Sequence, residues 1–225
     1  MKDIMEQLKN FEEVRDKIYI RLYPKDKAPD ECCGIGYEIF MAVCYLELDE
    51  MKADPINEKI LQLCDMKNLG IINEKLLDLW GMDREQVFNI ARENMFRDYS
   101  CIPMETVLEG ISNEMGLPAP DLNTGADAPS MEVLQAGWFG AGVLAVPEIL
   151  KAVMPEGEYF IIPSSIYEVL IIPAAGFDVE EIDEMINSVN EKEVAPEDQL
   201  YDKAFYYKDG TLYERKDTEN ACAVQ

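Results

Sequence analysis

The chain has 225 residues, enough for one large domain or two small ones, and 48% of them are hydrophobic, as in a globule that buries a core. Asp and Glu number 45 against 20 Lys and Arg; the formal net charge of −25 repels phosphate backbones, which disfavours direct nucleic-acid or anionic-membrane binding and leaves basic partners open. Histidine is absent, which excludes Ser-His-Asp and Cys-His arrangements and imidazole-held metals, so any acid–base work falls to carboxylates, lysines or tyrosines.

In chain order, Ile4, Met5, Leu8, Phe11 and Val14 follow a helical period and predict an amphipathic helix over 4–14. This stretch is charged throughout and lacks a signal peptide's apolar run, and no apolar run is long enough to span a bilayer, so a cytoplasmic protein is expected. In "KIYIRLY" (17–23) the period falls to two: Ile18, Ile20 and Leu22 share one face and Tyr19, Arg21 and Tyr23 the other, as in a half-buried strand ended by Pro24. "GIGYEIFMAVCYLELDE" (34–50), rich in β-branched and aromatic residues, predicts a long strand paired with the first. A helical stripe of Ile56, Ile60, Leu61, Leu63 and Cys64 predicts a helix over 55–66.

"LGIINEKLLDLWGMDREQVFNIARENM" (69–95) carries the clearest local signals. A short strand ends at Ile72, Asn73 caps a helix over Leu76, Leu77 and Trp80 that Gly81 ends, and Asp83 with Gln86 forms a capping box. The second helix is expected to bury Val87, Phe88, Ile90 and Ala91; with only Arg84 and Arg92 among acidic neighbours, the pair is a poor DNA reader. A helix over 104–115 stops at Gly116, and "PAPDLNTGADAPS" (118–130) reads as a linker between an N-terminal α+β half (1–117) and a C-terminal one (131–216), unless the two form one continuous domain.

Further on, "MEVLQ" predicts a short strand, and "GWFGAGVLAVPEILKAVM" a small-residue helix broken at Val146-Pro147, with a second helix starting at Pro147. Short strands are expected over 159–162 and 168–172, with prolines at their ends or on a sheet edge and 164–167 as the turn between them. Asp178 and Glu181 make a second capping box opening a helix to about 190, with Ile182, Met185, Ile186 and Val189 inward. Asp209-Gly210 in "KAFYYKDGTLYER" predicts a type I′ hairpin, and the last ten residues are expected to be frayed. The fold class is therefore α+β, with antiparallel or mixed sheets, packed helices and a C-terminal β-hairpin.

For chemistry, the six cysteines, Cys32, Cys33, Cys44, Cys64, Cys101 and Cys222, show no C-x-x-C pair and read as free thiols. Glycines of "GWFGAG" (137–142) lack the phosphate-loop spacing and instead allow close packing or a kink, while Trp80 and Trp138 read as core or interface anchors. Ser164-Ser165 lacks a nucleophile elbow, and alternation is expected to send Glu168 away from the hydroxyls, leaving a turn closed by serine side chains. The acids Asp178, Glu180, Glu181, Asp183 and Glu184 lack the glycine and alternating oxygens of a calcium loop. Together with Glu191 and Glu193 they are the candidate partner-binding residues. No catalytic residue, cofactor or metal is assigned.

The segments "FEEVRDKIYIRLYP", "NLGIINEKLLDLWGMDREQVFNIARENM", "GAGVLAVPEIL", "EYFIIPSSIYEVLIIPA" and "VNEKEVAPEDQLYDKAFYY" together resemble a family of uncharacterised proteins of anaerobic gut bacteria, a domain of unknown function. "PSSIYEVL" is also similar to a signature in a second bacterial family of unknown function. The resemblance implies a shared α+β fold and brings no activity, cofactor or catalytic residue; its members often carry histidine where this chain has Tyr167.

Three readings follow. The first is a non-enzymatic cytoplasmic interaction or accessory protein whose acidic face meets a basic protein partner. A second is a nucleic-acid mimic that inhibits a nucleic-acid-processing enzyme in the anti-CRISPR manner. The third is a hydrolase using carboxylates with a metal, or Ser164/Ser165 with Glu168 or Lys151.

Overall fold

A computed structural model describes residues 10–30, 32–47, 70–116, 118, 131–214 and the backbone of 222–223. The helix expected over 55–66, most of that over 4–14 and all but Pro118 of the 118–130 linker lie outside the described residues.

A short helix α1 (Phe11–Val14) runs through a 3-10 turn (Arg15–Lys17) into β1 (Ile18–Pro24). The long strand expected over 34–50 is two strands instead, β2 (Gly34–Gly36) and β3 (Phe40–Leu46), because the Tyr37 amide donates to the Phe40 carbonyl at 2.8 Å and folds one back on the other. They form an antiparallel sheet in the order β1-β3-β2, with Ile20 opposite Cys44. The expected pairing of the first two strand regions is thus present. Half-burial is not: every residue of β1 from Ile18 to Tyr23 is buried, since both faces of the strand are covered.

Helices α2 (Glu74–Trp80) and α3 (Arg84–Asp98) follow with the expected caps. Asn73 accepts the Leu76 amide, Gly81 takes the left-handed conformation, and Asp83 and Gln86 satisfy each other's amides. Val87, Phe88 and Ala91 are buried as expected and Ile90 partly so. The buried Asn94 amide group on α3 donates to the carbonyls of Arg15 and Ile18 at 2.8 and 2.9 Å, fixing the helix against the entry to β1.

The second sheet is also antiparallel. It collects β4 (Ser100–Pro103), β5 (Glu132–Gln135), β6 (Glu158–Ile162), β7 (Val169–Pro173), β8 (Phe205–Lys208), β9 (Thr211–Glu214) and β10 (Cys222–Ala223). Their order is β10-β9-β8-β6-β7-β5-β4. Asp209 and Gly210 both have positive φ, the I′ geometry expected of the hairpin, and within the frayed-end expectation Cys222–Ala223 instead pairs with β9. Helix α4 (Met104–Met115) ends at Gly116, a 3-10 helix spans Gly140–Ala145, α5 (Pro147–Val153) has its proline in the first turn, and α6 is Val179–Lys192. The small-residue helix expected before Pro147 is therefore 3-10.

The period-two alternation of the second sheet serves two layers. Ile161, Val169, Ile171, Phe205 and Tyr207 join a central cluster with Ile18, Ile20, Leu22, Phe40 and Phe88. On the opposite face Phe160, Ile162 and Ile172 pack with Ile182 and Ile186 of α6. Strand β4, before residue 118, pairs with β5, after residue 130, and the central cluster draws on both sides of that stretch.

A glycine lets two stretches of backbone meet in the core. A β-carbon at Gly142 would overlap the Ile20 carbonyl oxygen and sit 2.9 Å from the Met95 methyl. Gly142→Ala is expected to cost about 3 kcal/mol, the upper range for overpacking. Gly116→Ala, with a φ of +66° and open space around it, is expected to cost about 1 kcal/mol from backbone strain alone. Urea unfolding midpoints check both; equal losses would contradict the close approach.

Candidate functional site

Alternation along β1 puts Arg21 on the same side as Tyr19 and Tyr23, and this face is covered by aromatic rings instead of water. The guanidinium carbon lies 4.4 Å from the Tyr23 ring centroid and 4.0 Å from that of Phe139. The side chain is 8% exposed, and its Nε is buried with no hydrogen-bond partner among the described residues. Burial lowers its pKa, opposed by Tyr23, Tyr167 and Asp198. Because arginine does not give up its proton in proteins, the charge stays and must be stabilised where it is. Two ring faces do part of this through cation–π attraction.

Phe139 is held in place from several directions. Its amide donates to the Tyr45 hydroxyl at 3.2 Å, and the Trp138 amide donates to Oε2 of the buried Glu47 at 3.0 Å. Its ring stacks on Tyr167 at 5.9 Å and meets Tyr45 edge-on at 5.1 Å. Gly140 makes this possible, since a β-carbon there would collide with the Tyr167 carbonyl oxygen. The expected role of these glycines in close packing is what the structure shows.

Arg21 lines a pocket of about 810 Å³ together with Tyr23, Lys27, Asn73, Ile166 and Glu197, within the range of small-molecule sites. Lys27 Nζ donates to the Pro196 carbonyl at 3.1 Å, joining two walls.

One wall is the "PSSIYEVL" segment. Ile166 faces the pocket, while Ser165, 5% exposed, turns the other way into the turn. The Tyr167 amide donates to Ser165 Oγ at 3.0 Å, the backbone-closing bond expected of a serine turn. Ser165 Oγ in turn donates to Glu168 Oε1 at 2.9 Å, which corrects the expectation that alternation separates them: 166–167 are bends, not strand, so period two does not apply. The loop after α6 stitches the other side, where Ile166 N–H donates to Asp198 O at 2.9 Å and Leu200 N–H to Ser164 O at 3.2 Å.

The candidate partner-binding acids lie on α6 and its ends. Asp178 caps the helix by accepting the amides of Glu180 and Glu181, and Asp183 accepts the Ala204 amide at 2.9 Å, so both serve the fold. Glu180, Glu181, Glu184, Glu191 and Glu193 are exposed. The buried stripe is Ile182, Ile186 and Asn190, and Met185 and Val189, expected inward, are 42% and 39% exposed, because each stands one residue, about 100° of helix, away from that stripe. Among the described residues no group of three or more potential ligands is arranged to hold a metal ion.

A model for a family of unknown function, DUF5688, matches residues 1–209. The chain belongs to the DUF5688 family. No curated protein and no solved structure matches. The match takes in the Arg21 pocket, the serine turn and α6, so each is part of the DUF5688 domain.

The other residues singled out in the DUF5688 sequence fall elsewhere. Trp80 packs against Phe11 at 5.4 Å as a core anchor, whereas Trp138 is 44% exposed. Cys32, Cys33, Cys44 and Cys101 are free; Cys32, Cys33 and Cys44 are buried, and burial raises the Cys32 thiol while a hydrogen bond from Cys44 lowers that of Cys33. Cys64 and the Cys222 side chain lie outside the described residues. Arg21 was the residue that sequence reading missed. Its signal was a polar face made of Tyr, Arg and Tyr, which is too aromatic for solvent.

Tyr167 reports on this site through pH. Burial, then the charge and hydrogen bond of Asp198, raise its pKa to about 12 from the ordinary value near 10. A raised pKa means the unfolded state loses its proton first, so this stabilisation is complete below pH 10 and is lost between about pH 10 and 12. Tyr167→Phe is expected to flatten the fall of the urea midpoint across that window; an unchanged slope would place the titration elsewhere.

Proposed function

We propose that this DUF5688 protein is a non-enzymatic cytoplasmic interaction module whose acidic helix α6 docks a basic segment of a protein partner. The observation that carries it is one surface row of α6, Glu181, Met185, Val189 and Glu193, spaced at i, i+4, in which an exposed apolar pair stands between two exposed glutamates. An apolar strip with an acidic rim complements an amphipathic helix or strand carrying Lys and Arg beside apolar anchors. Free thiols at Cys32, Cys33, Cys44 and Cys101 fit a reducing compartment.

The non-enzymatic reading draws on Ser165, whose hydroxyl is engaged by both Glu168 and the Tyr167 amide and is turned from the pocket. Nucleic-acid mimicry draws less support from the same helix. The exposed acids from Glu180 to Glu193 cover about 20 Å of axis, roughly one charge per 4 Å, whereas duplex DNA carries about one per 1.7 Å.

Affinity capture from the native host, read by mass spectrometry, tests the proposal. The wild-type chain is expected to retain a basic protein at low salt and release it as salt rises. A Glu181→Lys/Glu184→Lys/Glu193→Lys variant is expected to bind that protein about tenfold more weakly, with an unchanged unfolding midpoint. Equal capture by both chains would defeat the α6 assignment.

A further inference from the structure

We propose that the Arg21 pocket is a receptor for a small monocarboxylate with an apolar body, a binding site separate from α6 and independent of the reading given to that helix. Arg21 is more than nine-tenths buried, its Nε has no acceptor, and among the described residues no carboxylate forms an ion pair with it. Desolvating a permanent cation with no carboxylate in ion-pair contact is costly even with Asp198 acting from farther off, and a core position filled for packing alone is better served by an apolar residue. What the arginine supplies is a flat donor fork, clamped between Tyr23 and Phe139 and bordering a pocket wide enough for a small molecule.

The lining selects among anions. Two cations, Arg21 and Lys27, are balanced by two acids, Asp30 and Glu197, so the pocket accepts one negative charge at the guanidinium and opposes a second. A carboxylate has the planar geometry and the single charge that this arrangement requires, and a dianionic phosphate does not. Beyond the charged groups the walls are Pro24, Ala28, Pro29, Ile71, Ile166 and Pro196, which ask for an aliphatic or aromatic body. Asn73 has its side-chain oxygen committed to the Leu76 amide, which leaves its amino group as a donor at the rim.

The test compares 3-phenylpropanoate, its neutral amide 3-phenylpropanamide and inorganic phosphate, using chemical-shift titration of the full chain with the aromatic and arginine side-chain resonances observed. The expected result is saturable binding of the acid, about tenfold or more weaker binding of the amide, and weaker binding of phosphate. In Arg21→Met, which keeps the volume between the rings, the preference for acid over amide is expected to vanish while the unfolding midpoint stays the same or rises, since an unpaired charge is removed. Should that variant fail to fold, the acid-to-amide ratio in the wild type together with Lys27→Met, expected to weaken the acid less than the amide substitution does, decides the matter. Equal affinity for acid and amide, tighter binding of phosphate, no binding of the acid at millimolar concentration, or an acid preference that survives in Arg21→Met would each overturn the proposal.

Discussion

Where the 3-10 turn at Gly142 lies on the Ile20 carbonyl of β1, backbone meets backbone, and any side chain at 142 would hold the two apart. That approach covers a strand whose alternation, read alone, leaves one face to water. It also sets what stands beside the strand: with Gly142 against Ile20, Phe139 falls against the neighbouring Arg21. Gly140 repeats the device two residues earlier against the Tyr167 carbonyl, which brings the serine turn to the same place. The packing that closes the central core thus also brings the rings of the aromatic clamp to Arg21. Without the two bare α-carbons, three distant stretches of chain would not share a site.

Charge is distributed in a way that makes the clamp tolerable. A chain of net charge −25 lies in its own negative field, which lowers the cost of a buried cation and raises that of a buried anion. The buried Glu47 answers that cost with short-range bonds, accepting the Trp138 amide at 3.0 Å. Tyr19 donates to Asp98 at 2.6 Å, and burial followed by that bond pushes its pKa well up, while the exposed Arg97 guanidinium holds the same carboxylate from the outer side. The same field repels an approaching anion over long range. Recognition of one in the pocket therefore rests on contact with the guanidinium and on apolar burial, both of which act at short range and are insensitive to salt.

What the sequence disclosed was whatever is decided within a few residues. Asn73, Asp83 and Asp178 announced helix starts because a cap needs only amides two or three places on, and Asp209-Gly210 announced a hairpin because only a pair of positive φ angles closes it. The α+β class followed from such pieces. The failures arose where distant covering or a local bend set the outcome. At 37–39 a single Glu38 between Tyr37 and Ile39 does not distinguish a fold-back from a continuing strand, and Met185 differs from Ile186 only in which side of α6 meets the sheet. Alternation misplaces Glu168 because residues 166 and 167 are bends and do not carry period two to it. The Arg21 site required knowing that residues 137–142 lie on β1, which no local pattern states.

One wall of the pocket and the acidic helix belong to one continuous stretch of backbone. After α6 ends at Lys192 the chain passes through Pro196 and Glu197, which line the pocket, and then through Asp198 and Leu200, which bond to Ile166 and Ser164. Gln199 ties this loop back to the helix, donating to the carbonyls of Asn190 at 2.6 Å and Val194 at 2.9 Å. Contiguity alone carries no coupling energy; a ligand shifts a distant surface only by preferring one of two arrangements of the element between them. The element between them is the 193–200 loop, held by hydrogen bonds to Ser164 and Ile166 on one side and by the last turn of α6 on the other. An occupant that drew Glu197 or the Lys27–Pro196 link toward Arg21 would act on the C-terminal turn of the helix, next to Val189 and Glu193. The 193–200 loop therefore joins one wall of the pocket directly to the C-terminal turn of α6, while the sheet joins them only through the packing of Ile182 and Ile186 on Phe160, Ile162 and Ile172.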